Sequence, residues 1–225
     1  MPVKRSYASH GDACATSHAM ELLGDRWAYP VIRELMLAPK RFAELEATLL
    51  GITPAVLTSR LRQLESAGIV RRLRLPAPAR ASVYEITEWT AELAPVFAAL
   101  GRWAVRSPTR DVTGCGLTPD AIAQSMMTMA PNIPMSPPIE LELHLADTRT
   151  RDVAEPYVYR LCWDSRLVIE RSHAAAPAAV VHGDSSTWSG VLYDDVDLDE
   201  MDITGDRAAV MRVVAAFDGV LEAAA

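Results

Sequence analysis

Residues 53–75 read TPAVLTSRLRQLESAGIVRRLRL, and their order decides the fold. Thr53 is a favoured helix N-cap, Pro54 suits the first helical position because its φ is pre-set, and Gly68 suits the residue just past the end, so a helix is predicted over Pro54–Ala67. Leu57, Leu61 and Leu64 recur on one face of that helix. The opposite face carries Ala55, Thr58, Ser59, Arg62 and Gln63, which are small, hydroxyl, amide and guanidinium groups with no large apolar member. The basic run that follows, Ile69–Leu75, is predicted to form a hairpin with Val83–Ile86 across the loop Pro76-Ala77-Pro78-Ala79-Arg80-Ala81.

Upstream of Thr53 the apolar period is helical. Ala19, Leu22 and Leu23 close a first helix that Gly24 can terminate, and Asp25 is placed to cap a second. That second helix carries Trp27, Val31 and Leu35 on one stripe, with Pro30 close enough to its start to tighten rather than break it. Phe42, Leu45 and Leu49 mark a third helix, and Gly51-Ile52-Thr53-Pro54 a sharp turn. Beyond the hairpin, Thr87 can cap a last helix with Leu93, Val96, Phe97, Leu100 and Trp103 on a broad apolar face.

A helix, a tight turn, a second helix exposing small polar side chains and then a basic hairpin meet the demands of major-groove reading: one helix fits the groove, side chains hydrogen-bond to base edges, and cations meet the flanking phosphates. Between Arg33 and Arg80 there are nine Lys/Arg against four Asp/Glu. The pattern is that of a mostly α-helical winged helix-turn-helix. Thr58, Ser59, Arg62 and Gln63 are the candidates for base-edge contact, with Arg62 best able to make a bidentate bond to guanine. Arg41, Arg72 and Arg80 are candidates for phosphate. Thr53 and Ala55, at the start of the helix, complete the candidate DNA-binding set. Arg60 lies near the buried edge, where an ion pair with Glu44 or Glu65 competes evenly with a phosphate contact.

The chain has 225 residues and a net charge of −7, which alone would argue against a nucleic-acid partner. Residues 1–110 hold 15 Lys/Arg against 10 Asp/Glu, and residues 111–225 hold 7 against 19. A split of that size points to two domains, 1–110 and 111–225, the first able to face an anion and the second not. With 50% hydrophobic residues the chain can bury a core. There is no apolar run of bilayer-spanning length, and the polar stretch MPVKRSYASHGDAC lacks the apolar core of a secretory signal, so no membrane partner and a cytoplasmic location are expected. Cys14, Cys115 and Cys162 are widely spaced, without CxxC, so neither disulfides nor a cysteine metal site is indicated.

The second half reads as mixed α and β after a linker at Val105–Leu117. Ile122, Met126 and Met129 suggest a short helix. Strands are predicted at Ile139–Leu145, Tyr157–Trp163, Leu167–Glu170 and Ala178–Val181, with helices at Ser185–Tyr193 and Arg207–Phe217. Catalysis finds no support. His10, His18, His144, His173 and His182 are scattered without HxxxH or HExxH spacing, and no GxSxG elbow surrounds Ser185 or Ser186. In the run Asp194–Asp199, calcium-loop spacing fails at positions six and twelve, and a half-buried strand with an acidic face fits better. No metal site and no cofactor are expected.

The ordered series Cys14, Leu23-Gly24-Asp25-Arg26-Trp27, Arg41-Phe42-x-Glu44-Leu45, Leu57-Thr58-x-Arg60-Leu61-x-x-Leu64-Glu65-x-x-Gly68-Ile69-Val70-x-Arg72 and Tyr84-x-Ile86-Thr87 resembles the HxlR-type winged-helix transcriptional regulators of bacteria over roughly Cys14–Arg106. The resemblance implies a homodimer whose terminal helices pair and whose recognition helices, Pro54–Ala67, read an inverted repeat in double-stranded DNA, with Ile69–Ile86 as the wing. The chain departs from the pattern at Ala15, where proline is usual, and at Trp89, where glycine is frequent. Some members use a cysteine at the Cys14 position as a redox or electrophile sensor; a small residue packed at the dimer seam is the alternative. The segments Ala178–Val181, His182-Gly183-Asp184, Ser185-Ser186-Thr187-Trp188 and Val196–Ile203, closing on Thr204-Gly205-Asp206, resemble the sterol carrier protein family over about residues 117–220. That likeness implies an α+β domain enclosing a small hydrophobic ligand, with Met126, Met129, Trp163, Trp188 and Leu192 as candidate lining residues. The combined expectation is a ligand-modulated DNA-binding regulator. A Cys14 switch, or a constitutive DNA binder whose second domain only supports dimerisation, are the alternatives.

Overall fold

A computed structural model of the chain describes residues 7–77, 80–150 and 155–223. Lys4, Arg5, Pro78 and Ala79 lie outside the described residues. Two compact units divide the chain, Met1–Glu92 and Leu93–Ala225.

In the first unit, α1 (Ala15–Leu23), α2 (Ala28–Leu35), α3 (Phe42–Thr48) and α4 (Pro54–Ser66) precede a hairpin of β1 (Val70–Arg74) and β2 (Ser82–Ile86), closed by the single turn α5 (Glu88–Ala91). The apolar stripes meet in one core: Val31, Ile32 and Leu35 from α2, Leu45 from α3, and Leu57, Leu61 and Leu64 from α4 are all at most 2% exposed. Asp25 does not cap α2 directly. Its carboxylate accepts the Trp27 amide at 2.9 Å, and Trp27 takes the cap position one short turn later. Pro30, third in α2, leaves the helix unbroken.

The first unit also buries an ion pair. Lys40 Nζ lies 2.6 Å from Glu34 Oε2 with both side chains fully inaccessible. The Lys40 backbone pairs with that of Tyr84 in both directions, at 3.0 and 2.8 Å, adding an edge rung beside β2. A lysine counted in the sequence among the cations of a DNA face is therefore a core residue.

The helix expected from Thr87 through Trp103 is two. After α5 the chain restarts as α6 (Ala94–Ala104), with Pro95 in its first turn, where the ring has no N–H to give to a helix continuing from α5. By its contacts α6 belongs to the second unit: Arg102 donates to the Thr128 carbonyl of α7 (Pro119–Met129) at 3.1 Å.

The second unit is α+β. Its strands, β3 (Ile139–Ala146), β4 (Tyr157–Trp163), β5 (Leu167–Glu170), β6 (Ala179–Asp184) and β7 (Asp202–Gly205), form one sheet in the order β5-β4-β3-β6-β7, with β3 and β6 parallel and the other neighbours antiparallel. Alternation sorts the two faces. Ile139, Leu141, Leu143, Leu145, Tyr159, Leu161, Trp163 and Val181 are buried, with α7, α8 (Ser185–Tyr193) and α9 (Arg207–Ala215) supplying Met126, Trp188 and Val213 to the same core. Glu140, Glu142, His144, Arg160 and His182 fall on the other face. A short helix, α10 (Val220–Ala223), ends the described chain.

Two Gly-Asp pairs punctuate this unit. Asp184 caps α8 by accepting the amides of Ser186 at 2.8 Å and Thr187 at 3.2 Å, and Asp206 caps α9 through Ala208 and Ala209. Gly205 has φ +94, and a Cβ there would stand 2.6 Å from the Ala178 carbonyl oxygen, so the second pair admits no side chain. The half-buried strand expected over Asp194–Asp199 is absent. Leu198–Glu200 is a 3₁₀ turn because the Asp197 carboxylate accepts the Asp199 amide at 2.8 Å, and only Asp202–Gly205 joins the sheet.

Candidate nucleic-acid interface

Three leucines fix the rotation of α4 about its axis. Burying Leu57, Leu61 and Leu64 stabilises the helix in place by ~1.5–3 kcal/mol each. Thr53 secures its start by accepting the Val56 amide at 3.3 Å, with Pro54 following as the first helical residue. The remaining face is then determined. Pro54, Ala55, Thr58, Ser59, Arg62, Gln63 and Ser66 line a single open concavity of about 640 Å³ along the helix. Ala55, Ser59, Arg62 and Gln63 are exposed and Thr58 is half-buried.

The hairpin is clamped to the end of this helix. Gly68, at φ +71, turns the chain out of α4. The Thr87 hydroxyl donates to the Gly68 carbonyl at 2.8 Å and the Thr90 hydroxyl to the Ile69 carbonyl at 2.7 Å, while the Thr87 amide meets Ile69 O at 3.0 Å. Three bonds therefore hold the base of the wing against the C-terminus of α4. Along the wing, Arg72 stands opposite Tyr84, its guanidinium 5.9 Å from the ring centroid, and Arg72, Arg74 and Arg80 are all exposed.

The nine basic residues between Arg33 and Arg80 divide into two groups. Arg33 and Lys40 pair with Glu34, Arg71 with Glu85 opposite it on β2, and Arg60 with Asp25. The Arg60 side chain is mostly buried, at 16% exposure, and neither Glu44 nor Glu65 is the partner expected from sequence; Glu44 instead accepts the Arg41 amide at 2.7 Å. Arg41, Arg62, Arg72, Arg74 and Arg80 are exposed. The cationic face is thus about half of what composition suggests, and it coincides with the candidate residues.

Cys14 is exposed, at the N-cap of α1. The Ser17 amide, with further contributions from the Ser17 side chain and the Thr16 amide, lowers its thiol pKa, as helix N-termini do. Cys162 behaves oppositely, because burial pushes its thiol up.

The five candidate ligand residues of the second unit all lie in its core. Met126, Trp163 and Trp188 are fully buried, Met129 and Leu192 nearly so, and Trp188 Nε1 donates to Met126 Sδ at 3.4 Å. Trp163 Nε1 donates to the Ile133 carbonyl at 3.1 Å.

Sequence spacing missed a polar cluster in the same unit. Glu142, His144, His173 and His182, scattered along the chain, meet on the sheet face turned away from the helices. The one local signal was Glu142-x-His144, two residues that a strand places on the same face.

No helix among the described residues is long and apolar enough to cross a membrane. The HxlR-like helix-turn-helix family matches residues 22–111. The HTH-type transcriptional regulator YodB of Bacillus subtilis is 40% identical over 86 residues, which cover 38% of this chain and 77% of YodB. The uncharacterized HTH-type transcriptional regulator YvaP of the same organism is 33% identical over 86 residues, covering 38% of this chain and 80% of YvaP. The solved structure of YodB from B. subtilis in its reduced form is 35% identical and covers 44% of this chain and 97% of that one, with a TM-score of 0.40.

Proposed function

The chain belongs to the HxlR-like helix-turn-helix family of bacterial transcriptional regulators, and from that membership we propose that its first unit reads duplex DNA with α4 in the major groove and the β1–β2 hairpin on the adjoining backbone. The observation that carries the reading is the α4 face opposite the leucines: Ala55, Ser59, Arg62 and Gln63 are exposed with Thr58 half-buried between them, flanked by exposed arginines on the wing. Thr58, Ser59, Arg62 and Gln63 address base edges, Ala55 lets the helix approach closely, and Thr53, Arg41, Arg72 and Arg80 address phosphates.

The test is binding by the full chain to a duplex selected from a random pool. Arg62→Ala should lose about 1–3 kcal/mol of discrimination at one base position. Arg72→Ala should weaken binding to all sequences and reduce the salt slope by about one. If Arg62→Ala left both affinity and preference unchanged, α4 would not be the reading element.

The finer reading is a homodimer on an inverted repeat. It is supported by α6, where Val96, Leu100 and Trp103 recur on one face at 47%, 46% and 67% exposure, an apolar stripe suited to a second copy. Sedimentation at micromolar concentration checks this, with Leu100→Asp expected to yield monomers.

A second reading concerns the switch. Cys14, exposed and with its thiolate favoured by the Ser17 and Thr16 amides, suits an oxidant- or electrophile-responsive regulator. Oxidant should then alter DNA affinity in the parent protein and not in Cys14→Ser. Modulation by a small hydrophobic ligand at Met126, Met129, Trp163, Trp188 and Leu192 would require that packed core to open. Native mass spectrometry of the purified protein, showing a discrete extra mass or none, decides that reading.

A further inference from the structure

Three segments of the second unit converge on the sheet face opposite its helices. β3 brings Glu142 and His144, β6 brings His182 into register beside His144, and the segment after β5 brings His173 over them. His144 Nε2 is 2.6 Å from Glu142 Oε1, and His173 Nδ1 is 3.4 Å from the same oxygen. The second carboxylate oxygen is fixed separately by the Ala174 amide at 2.8 Å. One ligand atom from each of Glu142, His144 and His173 lies within 4.8 Å of the others. The His182 ring lies against that of His144, with centroids 4.4 Å apart.

We infer that Glu142, His144 and His173 form a binding site for a divalent transition-metal ion of the zinc class. A Glu–His hydrogen bond alone would satisfy Glu142 and His144, but it leaves unexplained why a second imidazole from a separate segment is turned onto the same oxygen. The cation facing Glu142 across the β3–β4 ladder, Arg160, is directed elsewhere, to Glu140 and Glu170.

The donor set selects the ion. Two imidazole nitrogens and one carboxylate oxygen suit zinc, nickel or cobalt, whereas calcium and magnesium favour all-oxygen sites and copper(I) favours sulfur. Zinc bonds of about 2.0–2.2 Å put tetrahedral ligands roughly 3.3 Å apart. The His173–Glu142 separation already matches this, and the His144–Glu142 pair opens by less than ~1 Å as the metal replaces the shared proton. His173 is 75% exposed, so the fourth position faces solvent. His182 supports the His144 ring from the side rather than ligating.

The site is independent of DNA reading, and its test uses the untagged full chain. After equilibration with Zn²⁺ and removal of excess metal, atomic emission should find one equivalent per chain. Competition with a chromophoric chelator should show a loss of ~100-fold or more in affinity in His173→Ala and His144→Ala, and about 10-fold in His182→Ala. His18→Ala, outside the cluster, should bind as the parent does. His173 is mostly exposed, so its variant should keep the parental circular dichroism, and Co²⁺ should give the visible absorption of a four-coordinate ion in the parent and not in His173→Ala. No Zn²⁺ retained by the parent, or full retention in both His173→Ala and His144→Ala, overturns the assignment.

Discussion

The α4 face and the outer face of the β3–β6 sheet are both polar surfaces backed by a closed apolar core, yet they are written in the chain differently. On α4 every candidate contact comes from one continuous helix, and the leucines that bury its back also fix which residues look outward. On the sheet the polar group is assembled from β3, β6 and the segment after β5, over residues 142–182. A local period suffices to find the first. The second exists only once strand order and register are known, because β3 by itself shows ordinary alternating polar positions and β6 adds only His182 to the cluster.

The largest effect that sharpens this contrast concerns charge buried behind the α4 face. Lys40→Ala removes the 2.6 Å partner of the fully buried Glu34 carboxylate but leaves Arg33 on its other oxygen, so it should destabilise the first unit by up to ~3–5 kcal/mol. Replacing both residues with apolar ones of similar volume should recover most of the loss. Urea titration, with amide exchange across residues 7–92 to locate the change, measures it. A loss below about 1 kcal/mol would mean that Arg33 holds the Glu34 charge without Lys40.

The next effect lies in the second unit. Asp184 caps α8 with one oxygen, while the other accepts both the amide and the hydroxyl of Thr148 at 2.8 Å. Asp184→Ala should cost about 1–2 kcal/mol. Burial acts to raise the Asp184 pKa, but the Thr148, Thr187 and Ser186 hydrogen bonds outweigh it and hold the carboxyl below its ordinary value. A depressed folded value means that the stabilisation is complete above the unfolded pKa of about 3.9 and is lost as pH falls through the folded one. Thermal melts from pH 6 down to 2.5 should therefore converge for parent and variant at the acid end. A constant gap between them would place the cause in packing instead.

A smaller effect tests whether the wing belongs to the α4 face. Thr87→Ala removes the α5 cap and the bond to the Gly68 carbonyl, for a cost of about 1 kcal/mol. DNA affinity should drop by a similar factor on every sequence, since the wing meets backbone and not bases. Loss of preference at one base pair would instead assign the wing a role in base reading.

Much of the first unit is legible because its signals are local: the Thr53-Pro54 start, the leucine stripe and the Gly68 stop are each a property of neighbouring residues. The break before α6 was legible in Pro95 and was overridden by the longer apolar period of Val96, Leu100 and Trp103. The Asp194–Asp199 strand failed for a comparable reason, as alternation of Asp with Val196 and Leu198 imitates a strand while the Asp197 carboxylate turns the chain locally. In the second unit the capping pairs Gly183-Asp184 and Gly205-Asp206 were visible as motifs. The convergence of His173 on Glu142 was not, because no spacing rule encodes which strands become neighbours.

The smallest predicted effect separates two kinds of charge on α4 itself. Glu65 and Arg60 are both on the helix, and sequence spacing made them plausible partners, but Arg60 turns inward to Asp25 while Glu65 stays exposed. Glu65→Gln should therefore change stability by no more than about 0.5 kcal/mol, as surface substitutions do. Asp25→Asn, measured alongside, should cost more, because it leaves the mostly buried Arg60 guanidinium without its carboxylate and weakens the acceptor of the Trp27 amide that starts α2. If the two substitutions cost the same, Arg60 would be free to swing outward, and it would join Arg41, Arg62 and Arg72 on the DNA-facing side.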